Sequence, residues 1–199
     1  MKSLSTIPTT VFHATTTEYL LSFIDIDISM SRQHLDFGKG FYVTSNYNQA
    51  MRFAYGKCIN YMDEVSKGTK EGFVRPLIME YSINLDSLMK LDPYIFKIPD
   101  LKWAEFIYNN RIGVNKVISD FHNWDSKFQC TYGHLADATF STLIYEARNG
   151  KISYEEFCKR IIPTRPNEED QIAFHTIDSI NCLKFRRRHI DYEYVYIAK

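Results

Sequence analysis

The stretch Asp36-Phe37-Gly38-Lys39-Gly40-Phe41-Tyr42 collects residue types suited to a charged heterocyclic ligand: a lysine between glycines, then aromatic rings heading an extended run. Glycine permits positive φ and close backbone approach, lysine carries charge toward a phosphate, and a ring offers a flat face to a heterocycle. The same residues also describe an ordinary turn before a strand. Phe53 follows Tyr42 by eleven positions, on a segment of helical period that would either turn it back toward this site or pack it in the core. His13 precedes Thr15, Thr16 and Thr17, and imidazole nitrogens beside threonine oxygens suit ribose hydroxyls or an amide. A strand-end histidine satisfied by backbone is the plainer alternative.

Other chemistries find less support. The six histidines, His13, His34, His122, His134, His175 and His189, form no HExxH and no cysteine-histidine spacing, so no dedicated metal site is expected. Cys58, Cys130, Cys158 and Cys182 include no CxxC pair and read as reduced, mostly buried thiols. Gly38-Lys39-Gly40 lacks the GxGxxG pattern of dinucleotide enzymes, and no Walker loop is present.

The elements that must position these residues follow from periodicity. Thr10 to His13 reads as an opening strand ending at Ala14, with the threonine cluster as a turn and Glu18 to Phe23 as a brief helix. Phe41 to Thr44 is a second strand. Gln49 to Tyr61, with Ala50, Phe53, Ala54 and Cys58 at helical spacing, is an amphipathic helix capped by Ser45 or Asn46. Val74 to Ile83 is a strand with Pro76 near its start. Leu101 to Arg111 and Leu135 to Arg148 are helices, the second stopped by Asn149-Gly150, and Ser153 with Glu156 opens a further short helix through Arg160. Gln171 to Thr176, Lys184 to Arg187 and the alternating Asp191 to Ile197 are strands around a short helical link. Mixed strands and helices joined by short polar turns predict an α+β or split-sheet fold.

Composition sets the outer limits. With 199 residues and 45% hydrophobic side chains, one compact domain over 1–199 is expected. Lys and Arg number 24 against 24 Asp and Glu, which gives no general attraction to nucleic acid or an acidic membrane. The basic run Lys184, Arg186, Arg187, Arg188 and His189 is divided between two faces if it is a strand, which favours solvation over an acidic partner. The 14 Phe and 14 Tyr predict a core of aromatic strands. No signal-like or membrane-spanning run is seen, so a cytoplasmic protein is expected.

Several of these segments also resemble a known family. His13-Ala14-Thr15 resembles the H-G-S/T element of diphtheria-toxin-like and poly(ADP-ribose)-polymerase-like ADP-ribosyltransferases, and Gly38-Lys39-Gly40-Phe41-Tyr42 resembles their G-K-G-I-Y-F strand. The chain is similar to the small prokaryotic family DUF3990 in V-F-H-A-T, L-D-F-G-K-G-F-Y-V-T, Gln49-Ala50 with Phe53-Ala54, Asn110-Arg111, Gly133 with Ala136-Asp137, and Q-I-A-F-H-T with Leu183-Lys184-Phe185.

The resemblance implies an ADP-ribosyltransferase-like split mixed β-sheet with peripheral helices and NAD as co-substrate, without a metal. His13 would orient NAD, with Ala14 offering its backbone to the carboxamide and Thr15 its hydroxyl. Tyr42 and Phe53 would sandwich the nicotinamide, Lys39 would face phosphate, and Gly40 would be among the cofactor-binding residues. Arg111 would clamp the pyrophosphate or simply pair with a surface carboxylate, two readings held equal. The third family position, normally glutamate, falls on Gln171. A carboxylate about 4 Å from the developing ribosyl cation is worth at most roughly 4 kcal/mol at an effective dielectric of about 20. A glutamine gives that up, cannot act as a general base, and leaves one transfer as the expected reaction. Glu193, in E-Y-V-Y, and Asp137 are the alternative carboxylates, Glu193 being placed on a strand after that of Gln171. The acceptor would be a macromolecule, protein rather than nucleic acid. A degenerate NAD or ADP-ribose-binding module acting through a protein partner, or a toxin-like element held by an antitoxin-like protein, is the rival expectation.

Overall fold

A computed structural model describes residues 6–21, 25–136, 140–164 and 168–196. The protein is mixed α+β, with two sheets and six α-helices among the described residues. It divides into two compact units, each assembled from separate segments of the chain.

The first unit is built mainly from Asp27–Tyr42 and Leu85–Cys182. Its four-stranded sheet runs β2 (Phe41–Val43), β6 (Asp170–Phe174), β5 (Cys130–His134) and β4 (Tyr94–Ile95), although Val43 itself falls in the second unit. β5 and β6 are antiparallel with Gly133 opposite Gln171, and β4 joins β5 in parallel. Helices α3 (Leu101–Ile112), α4 (Phe140–Arg148) and α5 (Tyr154–Ile161) pack together. The sequence places caps on two of them: Asp100 accepts from Trp103 N–H and Ser153 from Glu156 N–H, each satisfying a first-turn donor that the helix cannot. Short helices α2 (Leu85–Met89) and α6 (Ile177–Ile180) complete the unit.

The aromatic core of this unit is made by loops and a helix more than by strands. Phe37, Phe96, Phe106 and Trp103 are buried together, with Tyr94, Phe121 and Phe128 against them. Ring pairs such as Phe96–Phe106 at 5.2 Å and Tyr94–Phe128 at 4.5 Å add about 0.5–1.5 kcal/mol each beyond area burial.

The second unit is built from Pro8–Ile26, Val43–Asn84 and Leu183–Lys199. Its antiparallel sheet has the order β1 (Thr10–Thr16), β3 (Pro76–Ile83), β7 (Leu183–Ile190), and α1 (Tyr47–Ser66) lies on it. Asn46 caps α1 by accepting from Gln49 N–H. Ala50 and Ala54, a turn apart, let the helix sit close on Ile78, Phe12 and Ala14. Pro76 opens the central strand, where its carbonyl accepts from Asp191 N–H and it has no N–H to return.

Several sequence expectations are corrected. β1 runs to Thr16, because Thr15 and Thr16 pair with Leu77 and Pro76 and Thr17 joins Arg75 through backbone and hydroxyl, so these threonines extend the sheet. A 3-10 turn over Thr17–Tyr19 stands at the start of the expected helix, whose residues 22 and 23 lie outside the described ones. The expected helix from Leu135 begins at Phe140, after the unforeseen strand β5. Asp137 lies outside the described residues. The alternating Asp191-onward segment is not a strand over 191–196: Tyr194 packs on Tyr55 and Phe73, and Tyr196 donates to Asp63, so its rings cover α1 and its neighbourhood without a ladder.

Candidate functional site

The Asp36–Tyr42 loop is held from every side by its own unit. Gly38 has φ of +90°, and a Cβ there would lie 2.9 Å from the Asn123 carbonyl oxygen, so both conformation and space require glycine. A Cβ on Gly40 would meet the Phe174 carbonyl oxygen and His175 Nδ1 at 2.8 Å each. The Tyr42 hydroxyl donates to the Gly38 carbonyl at 2.7 Å and accepts from Phe37 N–H at 2.9 Å, closing the loop on itself. Burial, with the Asp36 charge adding to it, pushes the Tyr42 phenol well above its ordinary range, so it remains a donor. His175 Nδ1 lies 2.7 Å from the Lys39 carbonyl, which can only accept, so that nitrogen bears the proton and Nε2 is left to accept from Thr131 Oγ1 at 3.2 Å. Burial lowers the His175 pKa to about 4.

Three consecutive residues at the end of α3 fasten the loops around it. Asn109 accepts from Ile118 N–H and donates to Ser119 Oγ and the Phe121 carbonyl. Asn110 donates to the Asp36 carbonyl and accepts from Asn123 N–H at 2.8 Å, while the Asn123 side chain bonds Phe128 N–H and C=O. Arg111 donates through Nε to Asp36 Oδ1 at 2.7 Å and through Nη1 to the His34 carbonyl at 2.9 Å. Arg111 thus pairs with a carboxylate, a buried one and not one at the surface, and it is that of the glycine-lysine-glycine loop itself.

Asp36 also meets Gln171. The Gln171 Nε2 donates to Asp36 Oδ2 at 3.0 Å and to the His134 carbonyl at 3.3 Å, and both Asp36 and Gln171 are 6% exposed. A carboxylate and a carbonyl can only accept, so the orientation of the amide is fixed by chemistry, and Oε1 is its one remaining hydrogen-bonding group. The other lone pair of the His134 carbonyl takes Trp103 Nε1–H at 3.2 Å. Gly133, opposite Gln171, has no room for a side chain because a Cβ would stand 2.8 Å from Phe37 Cζ. Thus Lys39, Gly40, Tyr42, Arg111 and Gln171 lie in one unit, joined through Asp36 and His175.

The remaining candidates lie in the second unit. His13 is half-buried on β1 opposite Met79, and Thr15 is buried opposite Leu77. Ala14 faces α1, and its carbonyl accepts from Lys57 Nζ at 2.6 Å. Phe53 is 46% exposed on α1, off the stripe formed by Ala50, Ala54 and Cys58. Glu193 follows β7 in an exposed turn, its N–H donating to Asp191 Oδ1 at 2.9 Å, so it is not on a strand as expected. The basic run is partly paired: Arg187 and His189 both reach Glu80, at 2.8 and 2.9 Å, and hold its carboxyl below the usual range.

All four cysteines are free and buried. Burial pushes the Cys58 thiol up to about 11, and Cys130 higher, which leaves little thiolate for nucleophilic chemistry. Among the described residues no group of His, Cys, Asp and Glu is placed to hold a metal ion, and no helix is long and apolar enough to cross a membrane.

Fold and site define an α+β protein of two small sheets whose glycine-lysine-glycine loop is anchored by a buried carboxylate between an arginine and a glutamine. Residues 9–185 match the family model described as "Protein of unknown function (DUF3990)", and the chain belongs to that family. No curated protein and no solved structure gives a match.

Proposed function

We propose that this protein transfers a single ADP-ribose from NAD to a macromolecular acceptor, protein in preference to nucleic acid, and releases nicotinamide. The observation that carries the reading is the fixed amide of Gln171, which can offer only an acceptor oxygen at the position where the resembled enzymes use glutamate. An acceptor there holds a ribose hydroxyl as one oxygen of a carboxylate would, although it lacks the negative charge.

In this reading the bond between nicotinamide and ribose breaks with its electron pair leaving on nicotinamide, and the acceptor nucleophile forms the new bond to the ribosyl carbon while its proton passes to solvent. Gln171 steadies the ribose hydroxyl. Tyr42 supplies an aromatic face to the cationic ring before it leaves. Lys39 takes phosphate. Arg111, engaged with Asp36, acts on the loop.

The second reading, an NAD or ADP-ribose-binding module that works through a protein partner, is favoured by one fact: the carboxylate nearest Gln171 is that of Asp36, which is paired with Arg111. Incubation with adenylate-labelled NAD and cell extract separates the two. Label transfer by the wild type, lost in His13→Ala, Tyr42→Ala and Gln171→Ala, is the expected result. Saturable NAD binding with neither transfer nor nicotinamide release would leave the binding module, and no NAD binding at all would end both.

A further inference from the structure

Arg111, Asp36 and Gln171 form a chain in which donors and acceptors alternate from end to end: the His34 carbonyl takes Arg111 Nη1, Arg111 Nε meets Asp36 Oδ1, Asp36 Oδ2 takes Gln171 Nε2, and Nε2 also meets the His134 carbonyl. A glutamine amide is nearly symmetric in shape, so without such neighbours it would present nitrogen or oxygen to a ligand with little preference. With two acceptors on its nitrogen it presents oxygen alone. We propose that Asp36, held by Arg111, is a positioning residue that selects this orientation, so that the β6 position accepts a hydrogen bond from a hydroxyl of the nicotinamide-side ribose. The identity of the ligand rests on the NAD reading above, whereas the orientation rests on the chain's own geometry.

The alternation makes the effect of a single change specific. Asp36→Asn keeps the size of the side chain but brings a donor that can face Gln171, which favours turning the Gln171 oxygen inward and its nitrogen toward the ligand. A ribose hydroxyl would then meet a donor in place of an acceptor. A role confined to holding the loop would weaken NAD and any deoxy analogue alike. A positioning role alters the preference between them.

The test has an arm that needs no ligand. In the nuclear magnetic resonance spectrum of the full chain, the Gln171 side-chain amide protons, identified by their loss in Gln171→Ala, are expected to be shifted and slow to exchange in the wild type and to lose both properties in Asp36→Asn. Unchanged signals in that variant would overturn the proposal. In calorimetry the wild type is expected to bind NAD about tenfold more tightly than the mono-deoxy analogue lacking the contacted hydroxyl of the nicotinamide-side ribose, the equivalent of one hydrogen bond. Asp36→Asn is expected to bind the two alike, and a preserved preference would overturn the positioning role. Should Asp36→Asn not fold, the exchange Asp36→Asn with Gln171→Glu keeps one carboxylate, one amide and the guanidinium, and is expected to melt above Gln171→Glu alone. A double variant no more stable than that single one overturns the pairing. A wild type with the amide signature but no NAD binding overturns the ligand assignment and leaves the orientation measured.

Discussion

Gln171 and Asp36, 135 positions apart in the chain, meet as donor and acceptor at 3.0 Å in a buried site. That contact accounts for a glutamine at this position of β6. Asp36 already supplies the carboxylate, Arg111 supplies its counter-charge, and the strand must supply a donor.

Gln171→Glu therefore sets two buried carboxyl groups against each other, and the expected outcome is a less stable protein. The loss is of the size seen when a buried charge pair is broken, roughly 3 kcal/mol at neutral pH. One of the two carboxyl groups acquires a raised pKa in the folded state. The penalty is thus full above that raised value and shrinks as pH falls through it. Urea denaturation of the variant against the wild type at neutral and acid pH checks this. Equal stability at neutral pH would mean that the amide does not serve Asp36.

The two glycines that invite alanine substitution are expected to respond in opposite directions. A Cβ on Gly40 would lie 2.8 Å from a backbone oxygen of the neighbouring strand end, which cannot yield as a flexible side chain would. Gly40→Ala is expected to cost about 1–3 kcal/mol through overpacking. Gly56 lies within α1, where an added Cβ would meet nothing within 4 Å. Gly56→Ala is expected to gain about 0.5–1 kcal/mol from helix propensity. Paired melting curves decide both, and a Gly40→Ala protein as stable as the wild type would show that the loop is not held against β6.

What could be read from the sequence was what neighbouring residues decide among themselves. The Asn46 cap, the Ser153 cap, the helical period of α1 and the Gly150 stop each involve residues within a few positions, and each is found. β5 has no local signature, since the reason for Gly133 within it, the Phe37 ring against it, is far away in the chain. The Asp191-onward alternation misled because a tyrosine packed on other rings and a tyrosine donating to a carboxylate have the same period as tyrosines on a strand. Within the candidate site, Gly38, Lys39, Gly40, Tyr42, Arg111 and Gln171 could be named individually. Their joining through Asp36, Asn110 and His175 depends on contacts that no local pattern records.

Tyr42 offers a way to part its ring from its hydroxyl. Tyr42→Phe removes the donor to the Gly38 carbonyl and the acceptor of Phe37 N–H, which leaves partly buried backbone groups unpaired at a cost of about 1–3 kcal/mol. The ring remains. If the ring serves the nicotinamide, Tyr42→Phe is expected to lower the melting temperature while keeping NAD affinity at temperatures where it is folded, and Tyr42→Ala to lose both. Equal affinity in Tyr42→Phe and Tyr42→Ala, both folded, would remove the stacking role.

His175 makes the loop sensitive to acid. Its pKa is about 4 in the folded protein against an ordinary 6.5, because burial disfavours the charged ring. In an unfolded chain the same ring takes up a proton as pH falls below about 6.5, and the folded protein does not follow until much lower. Stability is therefore full above that ordinary value and falls as pH drops toward the folded pKa, by at most about 1.4 kcal/mol per pH unit and roughly 3 kcal/mol in all. His175→Asn, whose amide nitrogen falls near the position of Nδ1, keeps a donor for the Lys39 carbonyl and does not titrate. The wild type is expected to lose stability between neutral and acid pH more steeply than this variant, as read from denaturant midpoints across that range. Parallel curves for the two proteins would show that His175 is not held neutral against Lys39, and the account of the loop's anchoring at Gly40 would fall with it.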